Sequence, residues 1–254
     1  MHNAAAAAVG VKKIKARAYN MNENKIKGEP SSAVVNRLPR YYRFLGKLLS
    51  QNILRISSGE LALEMGVTAS QIRQDLNCFG GFGQQGYGYN VKYLYGQIAD
   101  ILGVNEAYSA IIIGAGNLGH ALAASSVFSD RGVFLKALFD SDDAVVGSEI
   151  NGLTILAESE LEKYFSENRV DIAVLTVPGK SAEKECAKLC RLGVRGIWNF
   201  SGVELRPHPN TVIHNMHTGD FLMTLCYALR KEDEMKAQKA QSRQDGQDGK
   251  NGEN

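Results

Sequence analysis

Residues 110–122 read AIIIGAGNLGHAL. Three isoleucines run into Gly114, Gly116 and Gly119, and a helical pattern follows. In a G-x-G-x-x-G turn between strand and helix, each glycine has a task. Gly114 permits the tight turn, Gly116 lets the backbone approach a pyrophosphate, and Gly119 lets helix and strand pack closely. The phosphates then sit on the helix N-terminus, against the amides of Ala115, Asn117 and Leu118. Asp140 ends the next apolar run, VFLKALFD, 21 residues beyond Gly119. A carboxylate there accepts the ribose 2′-hydroxyl and repels a 2′-phosphate. Ser141, Asp142 and Asp143 follow, with no arginine to hold such a phosphate. The expected cofactor is NAD(H), not NADP(H). A glycine-rich turn with no ligand is the bland alternative, and the flanking strand, helix and acid weigh against it.

Hydride transfer would also need a proton donor or acceptor beside the nicotinamide. Tyr227 and Lys231 have a suggestive spacing, but they fall on the last helix, away from the strand ends. His208, His214 and His217 cluster in PHPNTVIHNMH and read more simply as surface and strand residues. Cys186 and Cys190 lie one helical turn apart and read as core. The four cysteines lack CxxC spacing, so neither a zinc site nor a disulfide framework is expected. No catalytic residue and no metal ligand is assigned. An NAD-dependent oxidoreductase carrying an N-terminal accessory domain is the alternative reading.

These residues need elements to hold them. From Ser109 on, SAIII, VFLKALFD, VDIAVLTVP and VRGIWNF read as buried strands alternating with helices such as KSAEKECAKLCRLG. Alternation of that kind implies an α/β Rossmann-like, doubly wound parallel sheet. YLYGQIADILGV looks like a helix joining two modules. GDFLMTLCYALRK carries more apolar residues (Phe221, Leu222, Leu225, Tyr227, Leu229) than one subunit can cover, which suggests a dimer element.

The front of the chain has a different character. Residues 33–92 hold seven Lys/Arg against three acids, whereas residues 104–231 hold twelve against fifteen. A basic module followed by a mildly acidic one suggests two different partners. RLPRYYRFLGKLLSQ reads as a helix with Pro39 in its first turn, Leu45, Leu48 and Leu49 on one face, and Arg40, Arg43 and Lys47 on another. SSGELALEMG reads as a short helix with a Ser57/Glu60 capping box and a stop at Gly66. VTASQIRQDLNCFG opens on a second box, Thr68/Gln71. Two short helices broken at Gly66 make a helix-turn-helix. On the second, Ala69, Ile72, Leu76 and Phe79 should pack inward, while Ser70, Arg73, Gln74 and Asn77 form a donor-rich outer face able to read base edges. GGFGQQGYGYNV, with Gln84 and Gln85, then reads as the β-hairpin wing of a winged helix. A small bundle with a solvated polar surface is the plainer reading; the tandem caps, basic first helix and hairpin together favour DNA.

The expected organisation is a disordered tail over 1–32, a winged-helix DNA-binding domain over 33–92 and a linker helix over 93–106. A Rossmann dinucleotide-binding domain over 107–216, a dimerisation helix over 217–231 and a second disordered tail over 232–254 follow. The longest uninterrupted apolar run is far too short for a bilayer, and the N-terminal AAAAAVG precedes its lysines rather than following them. A cytoplasmic protein is expected.

In their order and spacing, RLPRYYRFL, SSGELA, MGVTASQIRQDL, FG…GYGYNV, GAGNLG, LTVP and NF resemble the Rex family of bacterial redox-sensing transcriptional repressors. The resemblance covers about Arg37 to Leu229. It implies a homodimer bound to a palindromic operator, with a C-terminal helix swapped into the partner. It also implies a repressor that NADH releases from DNA. Position by position, Gly114 to Gly119 would hold the pyrophosphate and Asp140 the adenine ribose. Thr176, Val177 and Pro178 match the loop near the nicotinamide, and Arg43 an arginine that couples the domains. The chain departs from the pattern in several places. Ser125 stands where the family has a tyrosine, Ser201 and Gly202 replace the AP of NFAP, and His217 replaces an aspartate. Gln74 stands where the family has a lysine, and Gln84 and Gln85 replace a basic pair.

Overall fold

A computed structural model describes residues 30–80, 83–84 and 87–248. The chain divides into two compact units, residues 1–105 and 106–254.

The first unit begins with α1 (Ser32–Ser50), which buries Val34, Leu38, Tyr41, Leu45 and Leu48 at spacings of three and four. The helix starts earlier than the sequence suggests, so Pro39 lies inside it rather than in its first turn. Tight packing of Leu38 and Tyr41 outweighs the missing backbone donor of the proline. A two-residue strand, β1 (Arg55–Ile56), leads to α2 (Ser58–Met65) and α3 (Ala69–Asn77). The Ser57/Glu60 box is reciprocal, with both hydrogen bonds present, and Gly66 ends α2 at φ 61°. Thr68 caps α3 through the Gln71 amide, but this is half a box: the Gln71 side chain donates to Asp75 instead. β2 (Gly83–Gln84) and β3 (Gly88–Asn90) form the antiparallel wing, and β1 pairs on the far side of β3. Arg55 donates to the Tyr87 carbonyl at 3.1 Å across the sheet.

The expected linker helix spans Val91–Leu102 (α4) and packs within this first unit. Leu94 and Ile98 enter its core, and Tyr95 stacks on Tyr42 at 4.4 Å with their hydroxyls hydrogen-bonded.

The second unit is a seven-stranded sheet. Along the chain it runs β4 (Tyr108–Ile113), α5 (Asn117–Ala124), β5 (Val133–Asp140), β6 (Glu149–Ile150) and β7 (Leu153–Ala157). It continues through α6 (Leu161–Glu167), β8 (Ile172–Leu175), α7 (Gly179–Arg191), β9 (Gly196–Asn199) and β10 (Val212–Asn215). The spatial order is β10-β9-β8-β4-β5-β7-β6, all parallel except the β6 edge. The chain thus builds outward from β4 in one direction and then returns to build from β8 in the other. The carboxyl ends of β4 and β8 flank the crevice that such a reversal opens. β4 and β8 are apolar without alternation because helices cover both faces of the sheet.

The last helix, α8, runs Thr218–Asp248. It therefore continues through residues 232–248, where the composition suggests a solvated tail. Close charge pairs support its middle: Arg230 and Lys231 with Glu234, and Glu232 with Lys236. The expectations for residues 1–29 and 249–254 lie outside the described residues. Among the described residues, no helix is long and apolar enough to cross a membrane.

Candidate nucleotide cradle and recognition helix

The glycine turn is fixed from two sides. Gly114 has φ +98°, and a Cβ there would meet the carbonyl carbon and oxygen of Thr176 at 2.9 Å. A Cβ on Gly119 would run into the Gly114 carbonyl. Both positions need glycine because β8 and the start of α5 press against the turn. Thr176 Oγ1 donates to the Gly114 carbonyl at 2.6 Å. The Ala115 amide donates to Asp140 Oδ2 at 2.6 Å, and the Asp142 amide to Oδ1 at 2.9 Å. Each oxygen keeps a lone pair for a further donor, such as a ribose hydroxyl.

Gly116 differs: a Cβ there would meet nothing within 4 Å. Its lack of a side chain keeps the cavity side of the turn open, as a phosphate lying on the backbone requires. Gly116 is also the N-cap of α5 and supplies no side-chain hydrogen bond. The first-turn amides of α5 are therefore left for an external acceptor.

In front of the turn lies a cavity of about 610 Å³. Gly114, Gly116, Asp140, Thr176, Val177 and Pro178 line it. Ala115, Asn117, Leu118 and Gly119 belong to the turn but not to the lining. The walls also include residues that the sequence reading missed: Ser141, Asp142, Val145, Glu158, Ser181, Lys184 and Glu185. The chemistry fits a dinucleotide: amides for phosphate, a carboxylate for ribose, and apolar Val145, Val177 and Pro178 for flat rings.

Three histidines stood out by proximity in sequence. Of these, His217 hydrogen-bonds Glu204 at 2.6 Å, and that contact holds the Glu204 carboxyl below its ordinary range. Ser125 Oγ donates to the Leu122 carbonyl at 2.8 Å. Among the described residues, no group of three or more His, Cys, Asp or Glu could hold a metal ion. Cys186 is buried and its thiol is pushed up to about 11 by desolvation and by Cys190.

In the first unit, α3 presents Ser70, Arg73, Gln74 and Asn77 to solvent, and buries Ile72 and Leu76. Arg73 also donates to Ser58 Oγ at 3.1 Å, which ties its guanidinium to the start of α2. Arg40, Arg43 and Lys47 of α1 are exposed. The backbone of Gln84 lies in β2; its side chain and the whole of Gln85 lie outside the described residues.

What anchors α3 could not be read from its polar face. Asp75 is fully buried. It accepts from Arg37 Nε at 2.6 Å, Arg37 Nη2 at 2.7 Å, the Tyr41 hydroxyl at 2.7 Å and Gln71 Nε2 at 2.8 Å. Burial alone would raise its pKa, but the hydrogen bonds from Arg37, Tyr41 and Gln71 outweigh that and hold it below the usual carboxylate range. Burial and the bond to Asp75 push Tyr41 up, well above the ordinary phenol. The recognition helix is thus clamped to α1 by one carboxylate.

Comparison with known proteins agrees with both halves. A family described as "Putative DNA-binding protein N-terminus" matches residues 30–77, and one described as "CoA binding domain" matches residues 105–203. The chain is similar to "Redox-sensing transcriptional repressor Rex" of Thermoanaerobacter pseudethanolicus, at 45% identity over 83% of this chain and 94% of the relative. It is similar to the protein of that name from Clostridium tetani, at 47% identity over 80% and 97%. A crystal structure of RSP with beta-NAD+ and operator DNA superposes with a TM-score of 0.76 and 44% identity, covering 84% of this chain and 99% of RSP. The structure of RSP with beta-NADH also gives 0.76, at 42% identity over 83% and 99%.

Proposed function

Because the chain belongs to the Rex family of redox-sensing transcriptional repressors, we propose that its glycine turn is the input of a switch and α3 its output. The protein is a DNA-binding repressor that binds NAD(H), and not an oxidoreductase. The observation that carries the residue assignment is the preformed cradle. Thr176 and Asp140 hold the turn open at Gly116, beside a cavity lined for a dinucleotide. Gly114 to Gly119 take the pyrophosphate, Asp140 the adenine ribose, and Thr176, Val177 and Pro178 lie toward the nicotinamide. Ser70, Arg73, Gln74 and Asn77 face the bases, with Arg40 and Arg43 around them.

NADH lowers operator affinity only if it binds the released form better than the DNA-bound form. Two such chains form a twofold dimer through the apolar stretch of α8, whose Phe221, Leu222, Leu225, Tyr227 and Leu229 are all more than half exposed in a single chain. The protein works in the cytoplasm, where operator and dinucleotide pool meet.

Ser125 and His217 replace the tyrosine and aspartate expected to face the coupling arginine, and both have local partners: the Leu122 carbonyl and Glu204. We infer weaker coupling than the family pattern implies, under about tenfold (~1.4 kcal/mol) between NADH- and NAD⁺-bound forms. The test is a gel shift against a palindromic operator, at saturating NADH and at saturating NAD⁺, at two pH values that bracket the histidine range. No response to either dinucleotide refutes the switch. A hundredfold, pH-independent difference refutes the weakened coupling. Turnover of NADH with a small carbonyl substrate, assayed alongside, would restore the oxidoreductase reading.

A further inference from the structure

The wall of the cavity contains a charge that the phosphates and ribose do not use. Glu185, on α7, has a side chain only 3% exposed and lines the cavity. Its Oε2 has no hydrogen-bond partner. An ionisable atom that is buried and unpaired is expensive, and its persistence calls for an explanation. The cation paired with Glu185 is a poor partner: Lys184 approaches Oε1 only to 3.7 Å and is 80% exposed itself. A second carboxyl, Glu158, lies within hydrogen-bonding reach just after β7. Burial first, and then Glu158, push the Glu185 carboxyl up. Lys188 Nζ lies 3.8 Å from Glu158 Oε1. Glu185 therefore favours its protonated form, with the proton directed at Glu158. With that proton held between them, the remaining lone pairs only accept.

The pair sits on the same cavity as Asp140. Asp140, Ser141 and Asp142 mark the ribose side of that cavity, and Val145 and Val177 supply apolar surface next to it. A base carried by that ribose would reach the Glu158–Glu185 wall with its edge. We propose that Glu185, paired with Glu158, accepts the exocyclic amine of the adenine base and so makes this site select adenine over a base with a carbonyl at the same position. The inference rests on the dinucleotide reading of the cavity. It adds a specificity determinant in α7, outside the glycine turn and Asp140.

Hypoxanthine differs from adenine chiefly in placing an acceptor where adenine has a donor. Against the unpaired Glu185 oxygen, which only accepts, that exchange leaves buried groups unpaired, which lowers affinity by about tenfold or more. Titrations of the full chain with NADH and with its reduced hypoxanthine analogue, by calorimetry, test this without any substitution. NADH should bind about tenfold more tightly or better. Equal affinities would overturn the proposal while leaving the dinucleotide site standing. Failure of the wild type to bind NADH at all would overturn the cavity reading and this inference with it. Two variants locate the effect. Glu185→Leu should weaken NADH and bring the two ligands within about twofold of each other. Glu185→Gln keeps a carbonyl for the amine and gives Glu158 an amide donor, so it should retain the preference. A Leu variant that keeps the full discrimination, or a Gln variant that loses it, shows that the selecting group lies elsewhere.

Discussion

Asp75→Asn is the substitution whose effect the geometry defines best. The amide would match the carboxylate in shape but replace one oxygen by a donor, placed against Arg37 or the Tyr41 hydroxyl. The present carboxylate takes four hydrogen bonds, three from charged or buried partners, and is itself inaccessible. Breaking a buried ion pair from one side costs about 3–5 kcal/mol. Arg37 retains 30% exposure and can recover some hydration, so the lower end, about 3 kcal/mol, applies. That is a large share of the stability of a small domain. At a urea dependence of roughly 1–3 kcal/mol per molar, it moves the midpoint down by about 1–3 M. The two units allow an internal control, because the chain's single tryptophan, Trp198, lies in the second. Far-ultraviolet dichroism should show an early loss of helix in the variant while the Trp198 fluorescence transition stays put. Operator affinity should fall in parallel, as α3 loses its clamp to α1. There is also a pH signature. The folded carboxyl titrates below its unfolded value of about 3.9. The clamp therefore stabilises fully above that value and fades as pH falls through the folded pKa. The gap between wild type and variant should close in strong acid. A midpoint shift under about 0.3 M at neutral pH, with wild-type operator binding, would refute the clamp.

Other consequences are more local. Arg73→Ala should cost about 1–3 kcal/mol on operator DNA, and unchanged affinity in a gel shift would remove Arg73 from the reading face. Gly116→Val should abolish NADH binding in calorimetry with little change in thermal midpoint, because its Cβ enters open space where phosphate belongs. Asp140→Ala should weaken NADH and narrow the preference over NADPH; equal binding of both by the wild type would contradict the role of Asp140. Deleting Gly219–Lys231 should yield monomers or aggregates in sedimentation, and a stable monomer that still binds the full palindrome would dissociate α8 from assembly. Asp171 is held down at about 2 against the pull of burial, by Ser109, Arg195 and Arg169. It should stabilise the second unit by about 1–2 kcal/mol above its unfolded pKa, discounted because both arginines are solvent-exposed. This contribution fades from about pH 4 toward pH 2 and should vanish in Asp171→Asn when Trp198 fluorescence is followed in acid.

The sequence was most readable where chemistry is local. The Ser57/Glu60 box, the Gly66 stop and the glycine turn each depend on residues a few positions apart, and each forms as its spacing indicates. The unread features depend on distant partners. β1 is two residues long and exists only because β3 lies beside it. β10 pairs on one side and leaves Val212 largely exposed, so it lacks the apolar run of β4. Asp75 lies in RQDL, among residues that do face solvent, and only the approach of Arg37 and Tyr41 turns it inward. Glu185 sits in KSAEKECAKLC, which reads as a charged surface helix. A signal was present, since Ala182, Glu185, Cys186 and Leu189 share one buried stripe; a single acid within an apolar stripe is a reason to look for a site. The half box at Thr68 shows the reverse: Gln71 has the right spacing for a cap, and a nearby carboxylate takes its side chain.

The bracing of the glycine turn also governs how fast a signal can arrive. On the proposed assignment, Thr176 and Asp140 already brace the backbone that receives the pyrophosphate. Little chain entropy then remains to be lost on binding, and no slow ordering step precedes contact. Occupancy of such a site equilibrates at the rate at which dinucleotide diffuses to it and leaves. A detector built this way averages over no history of its own. Any delay between a change in the nicotinamide pool and a change in transcription then originates downstream, in the departure of the protein from DNA.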